Sequence, residues 1–321
     1  MEIDWLLTAA CLGIGIVVGL TGMGGGALMT PVLVLFFGIP PLTAVSSDLV
    51  AAAVMKPVGS LVHLRAGTVN LQLVKWLCVG SIPTAFAGVF VLRALGDPAA
   101  VSANLLVALG VALLLAAAGL IARGYTSLLE RARIRDGHLP PENRDRPEVS
   151  VRVLPTVIVG AIGGLVVGMT SVGSGSLIIV ALMALYPALK ASNLVGTDLV
   201  QAVPLVAAAA LAHVFFGDFQ LALTASLLIG SIPGVWIGAR LSSRAPSRLI
   251  RRALGFVLFA SALKLLGVPT VTTGWILLAT LTLAPLVWMA VRRIHGFSAL
   301  PWREPQPAAA TPERDLAVDA A

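Results

Sequence analysis

An apolar run from Leu6 to Gly38 is interrupted by Gly19-Leu-Thr-Gly-Met-Gly-Gly-Gly-Ala-Leu-Met-Thr-Pro31, which sets five glycines inside 33 residues otherwise long enough to cross a bilayer. Consecutive glycines unwind a helix, and in lipid non-helical backbone persists only where protein or a water-filled cavity satisfies its N–H and C=O groups. The same device returns at Gly168-Met-Thr-Ser-Val-Gly-Ser-Gly-Ser-Leu177. A break that occurs twice belongs to a repeat, and it points to a cavity.

The rest of the composition fits a membrane. Of 321 residues 58% are hydrophobic and 12% charged, and the mean hydropathy is +0.96, values that exclude an ordinary soluble domain. The net charge of +7 comes mostly from arginines in two connecting loops and before the tail, so it reports topology and lipid headgroups and implies no nucleic-acid partner. Cys11 and Cys78 lie in apolar segments and read as small hydrophobes, with no spacing for a disulfide framework or a metal site. Met-Glu-Ile-Asp-Trp lacks a basic n-region, so the first segment is expected to be a retained helix.

Hydrophobic segments are expected near 5–21, 26–37, 43–63, 71–93 and 99–122, then near 153–170, 175–186, 192–215, 219–240, 248–267 and 271–291. This gives a first transmembrane repeat over 1–123, a hydrophilic Arg-rich cytoplasmic loop over 124–150 and a second repeat over 151–267. An extra helix over 268–294 and a disordered cytoplasmic tail over 295–321 complete the chain. The halves align at an offset of 149–150 residues: Gly24 and Gly26 with Gly173 and Gly175, Ser47-Asp48-Leu49 with Thr197-Asp198-Leu199, His63 with His213, and Gly80-Ser-Ile-Pro83 with Gly230-Ser-Ile-Pro233.

Five segments per half is an odd number, so if all cross, the second repeat enters from the opposite face. The fold class is therefore all-α and polytopic, with two inverted repeats of about five segments, glycine-broken helices and a final helix. With the N-terminus outside, the loop near 123–152, the cluster Arg240, Arg244, Arg248, Arg251 and Arg252, and Arg292 with Arg293 all fall on the cytoplasmic side of the plasma membrane.

Each candidate residue has a structural and a functional reading. Gly22, Gly24, Gly25 and Gly26, with Gly173, Ser174 and Gly175, either let helices pack closely or form broken helices whose N–H groups and dipoles face an anion. The formal G-x-G-x-x-A match from Gly22 to Ala27 has no strand before it and is not a nucleotide fingerprint. Asp48 and Asp198 are acids inside apolar helices, either near headgroups or coupling sites for a proton or cation. Lys56 lies about 80° round and about 12 Å along the helix from Asp48, and its counterpart is Val206. A cation present in one half only suggests a substrate role, against a snorkelling side chain. His63 and His213 end the third segment of each half, as proton relays or as caps on last-turn carbonyls. Ser46, Ser47 and Thr197 offer hydroxyl donors. Ser174 and His213 without a demonstrated contact are no catalytic dyad, and no nucleophile–base or metal-ligand cluster appears, so neither an enzyme, a cofactor nor a metal is expected.

The paired glycine-rich breaks, each followed by a short apolar segment and then by Ser-Ser-Asp-Leu or Gly-Thr-Asp-Leu, with Gly-Ser-Ile-Pro later in both halves, resemble the TauE/SafE family of membrane permeases over about residues 5–267. The resemblance implies a secondary transporter for a small anion such as sulfite, a sulfonate or a related organosulfur anion. A passive anion channel is the alternative. The family motif carries onto Gly22, Gly24, Gly25 and Gly26 and onto Gly173 and Gly175. Ser174 replaces a glycine in the second copy, and the loop from Arg123 to Arg152 is longer than the family needs.

Overall fold

A computed structural model of the chain describes residues 4–21, 25–65, 67–94, 96–137, 150–173, 175, 177–187, 189, 191–241 and 247–298. They form eleven helices: α1 Trp5–Thr21, α2 Gly26–Phe37, α3 Pro41–Arg65, α4 Leu71–Ala94, α5 Pro98–Arg135, α6 Val153–Thr170, α7 Leu177–Leu185, α8 Ala191–Phe216, α9 Leu221–Leu241, α10 Ser247–Leu265 and α11 Thr270–Ile294. The protein is thus an all-helical, polytopic chain in which α3, α4, α5, α6, α8, α9 and α11 are long and apolar enough to cross a membrane.

Local chemistry sets the ends. Gly38 closes α2 in the left-handed conformation (φ +62°), with its N–H returned to the Leu33 carbonyl. Asp97 caps α5 by accepting from the Ala100 N–H at 2.8 Å, with Pro98 in the first turn. The sequence boundary at residue 123 falls inside α5, which continues to Arg135. That stretch does have a helical period, since Leu128 and Ala132 are both buried. Arg135 anchors its end on the carbonyls of His295 and Gly296, 3.1 Å each. Residues 138–149 and 299–321, which hold the rest of the expected loop and tail, lie outside the described residues.

The main helix contacts map onto one another when each helix is exchanged for its counterpart in the other half. α1 lies on α9 as α6 lies on α4, α3 lies on α9 as α8 lies on α4, and α3–α8 and α5–α10 pair across the middle. The two closest seams are made of backbone. Gly15, Gly19, Gly230, Gly234 and Gly238 bring α1 against α9, and Gly80, Gly88, Gly160, Gly164 and Gly168 bring α4 against α6. A methyl group on Gly15 would stand 2.6 Å from the Ser231 carbonyl oxygen, closer than packing permits.

The two short helices fold back. Asp4 and Leu7 line one depression with Phe37 and Ile39, so the start of α1 and the end of α2 share a level. In the second half the Tyr186 hydroxyl, at the end of α7, accepts from the Arg152 N–H at 2.9 Å and sits 2.6 Å from Thr156 Oγ1, at the start of α6. At 12 and 9 residues, α2 and α7 reach about 18 and 14 Å and cannot cross a hydrocarbon core of about 30 Å alone. Each short helix runs back beside the helix before it, so that α1 with α2 and α6 with α7 form two hairpins.

Candidate functional site

The tips of the two hairpins touch. A methyl group at Gly26, the first residue of α2, would overlap the Ser171 carbonyl oxygen and stand 2.7 Å from Ser171 Oγ. Ser171 follows α6 in the left-handed conformation (φ +58°), and Gly173 (φ +128°) and Gly175 (φ +96°) continue a turn that side chains resist before α7 begins at Leu177. Gly25 differs: its φ is −60° and a methyl group there would meet only side-chain ends at ordinary contact distance, Met55 at 3.7 Å and Val18 at 3.9 Å. Gly22, Gly24 and Ser174 lie outside the described residues.

Asp48 of α3 is buried beside this junction. Its Oδ2 accepts from Thr30 Oγ1 of α2 and Ser171 Oγ of the opposite break, both at 2.8 Å, so one carboxyl oxygen ties the two halves together. Its Oδ1 is buried with no hydrogen-bond partner among the described residues. Asp198 of α8 is buried too, but differently surrounded. Oδ1 accepts from Gln201 Nε2 at 3.1 Å, Gln201 Oε1 accepts from Ser81 Oγ at 3.3 Å, and the Gly175 amide lies against the carboxyl. Lys56, only 8% exposed, lies within Coulombic reach of both acids. Arg123 of α5 donates to the Gly175 carbonyl at 3.2 Å and acts on Asp198.

The remaining candidates are held by the scaffold. Ser47 Oγ accepts the Gln220 N–H before α9 at 3.4 Å, and Thr197 Oγ1 accepts the Asn70 N–H before α4 at 3.0 Å, matching contacts that each join the two halves. Ser46 Oγ accepts the Asp218 N–H at 3.2 Å and donates to His213 Nδ1 at 2.8 Å. His213 Nε2–H donates to the Gly168 carbonyl at 2.7 Å, so a neutral ring satisfies both bonds and bridges α3, α6 and α8. His63 is half-buried, and its ring meets Thr68 Oγ1 at 3.0 Å.

Four contributors escape a reading of the sequence: Thr30, Ser171, Gln201 and Arg123. Gln201 carried a signal, since it stands three residues after Asp198 on one helix face. Thr30 and Ser171 reach Asp48 only across the repeat, and Arg123 reads as the start of a loop until α5 is seen to continue.

The profile of the family described as "Sulfite exporter TauE/SafE" matches residues 7–265. The chain belongs to the TauE/SafE family. The "Probable membrane transporter protein YjnA" of Bacillus subtilis (strain 168) is 40% identical over 256 residues, covering 79% of this chain and 96% of that protein. A second, the "Probable membrane transporter protein YdhB" of the same strain, is 26% identical over 241 residues, 75% of this chain and 91% of the relative. No solved structure matches. The chain is therefore a multi-pass membrane transporter of the TauE/SafE family with a small-molecule substrate.

Proposed function

We propose that the protein is a secondary transporter of a small anion, sulfite, a sulfonate or a related organosulfur anion, held where the two hairpin tips meet. The observation that carries this reading is the junction itself: backbone of both breaks, Lys56, Arg123 and two buried acids converge on one place. Glycine turns let a substrate approach N–H groups closely, and the first turns of α2 and α7 add the positive ends of their dipoles. Lys56 supplies the one deeply buried ammonium of the junction. The coupling role falls to one of the buried acid pair, Asp48 or Asp198; His63 and His213, proposed from sequence for the same role, fit better as structural residues.

The two repeats are inverted in this reading. Each hairpin returns to the level where it began and adds no net crossing, and with the 19-residue α10 taken as a further crossing each half has three, α3–α5 or α8–α10. The parity stays odd, with the N-terminus outside and the C-terminus cytoplasmic. In a background lacking Cys11 and Cys78, a cysteine at Gly137 is then labelled only from the cytoplasm and one at Asp97 only from outside.

Proteoliposome flux against sulfite, sulfonates and carboxylates, under imposed pH and Na⁺ gradients, tests the function. A transporter saturates and accumulates one of these anions against its gradient. Flux that neither saturates nor accumulates is the signature of a channel and would overturn the reading.

A further inference from the structure

The charges at the junction balance, three of them buried and that of Arg123 partly buried. Asp48 and Asp198 contribute two negative charges, Lys56 and Arg123 two positive ones, and residues 22–24, 174 and 176, which complete the breaks, carry no ionisable side chain. A bound monoanion adds one negative charge to a low-dielectric site, where an uncompensated charge is strongly disfavoured. Something positive must arrive with it.

The two acids are not equally suited to receive it. Asp198 faces both cations, Lys56 and Arg123, and its Oδ1 accepts from the Gln201 Nε2 amide, a group that can only donate and so suits a carboxylate; its Oδ2, like one oxygen of Asp48, is buried without a hydrogen-bond partner among the described residues. Asp48 has two hydroxyl donors on Oδ2 and an Oδ1 that is fully buried and bonded to nothing among the described residues. The titratable groups that face Asp48 are Lys56 of its own helix and the Cys11 thiol of α1. A proton needs a single acceptor oxygen, whereas a hydrated-metal site needs about six oxygens, and the nearby hydroxyls are already spent on Oδ2.

We propose that binding of a monoanion and protonation of Asp48 are one event, with one proton bound at Asp48 Oδ1 per monoanion, and Asp198 ionised throughout. The proton comes from bulk water and converts the carboxylate to the neutral acid. The sum over the four groups and a monoanion then returns to zero, and transport is electroneutral.

This inference rests on the anion-site reading above. It is tested by titration calorimetry on the purified full-length protein with methanesulfonate, isethionate and acetate, whose own protons are gone at neutral pH. Repeating each titration in buffers of different ionisation enthalpy counts the protons taken up. The wild type should take up about one proton per bound anion, and Asp48→Asn should bind the anion with almost none, while Asp48→Glu restores the uptake. Binding without proton uptake by the wild type, unchanged uptake by Asp48→Asn, or binding that demands Na⁺ would overturn the proposal alone. Failure of all three anions to bind the wild type would overturn the anion-site reading and the proposal with it.

Discussion

The two halves share a scaffold and differ in chemistry. Ser47 receives the N–H that precedes α9 and Thr197 the N–H that precedes α4, matching contacts that cross to the opposite half, and both hairpins return to their starting level. Yet Asp48 is gripped by hydroxyls from both breaks, whereas Asp198 is ringed by an amide and two cations. The counterpart of Lys56 is Val206, that of Gln201 is Ala51 and that of Thr30 is Ile179. The shared scaffold accompanies the paired positions of the sequence, and in the proposal above the asymmetric substitutions are what give two equivalent acids different tasks.

The largest expected effect separates neighbouring glycines in the first break. Gly26→Ala drives a methyl group into Ser171 backbone and should abolish transport even in protein that inserts normally, because it pushes the hairpin tips apart. Gly25→Ala has room and should keep at least about half the wild-type rate, since an ordinary van der Waals contact carries no overpacking penalty. Equal loss in both, measured by flux per inserted molecule, would remove the distinction between them.

A smaller effect separates the histidines. His213→Ala strands the Gly168 carbonyl and the Ser46 hydroxyl in the core and should lower stability by roughly 2 kcal/mol. His63→Ala loses one half-buried contact and should cost at most about 0.5–1 kcal/mol. Thermal unfolding in detergent reads the difference, and comparable Tm losses would make the two ends of the repeat equivalent.

The smallest concerns the serines of the two Gly-Ser-Ile-Pro copies. Ser81 bonds to Gln201, while the buried Ser231 Oγ has no partner among the described residues. Ser81→Ala should cost about 1 kcal/mol, and Ser231→Ala should be neutral or slightly stabilising. The same Tm assay decides it.

Much of this was legible beforehand. Hydrophobic length located every helix, because in lipid the chain must satisfy its backbone internally, and the bounds of α2 and α6 agree with those expected. The glycine stripes were visible as four-residue spacing at Gly160, Gly164 and Gly168, but they look like apolar filler until their partner helix is known. The extent of α5 was missed because charged side chains on its outer face hid the period of Leu128 and Ala132. Within the site, Asp48, Asp198 and Lys56 announced themselves as charges in apolar helices. The grip on Asp48 did not, since Thr30 and Ser171 lie 18 and 123 residues away in sequence.

The central claim is that the anion sits at the junction, and the apparent KM of Lys56 variants tests it most directly. Lys56→Gln removes the buried ammonium and should raise the KM for the transported anion at least about tenfold, equivalent to about 1.4 kcal/mol, while Lys56→Arg recovers part of that loss. An unchanged KM in a correctly inserted Lys56→Gln protein would place the substrate somewhere other than between the two hairpin tips.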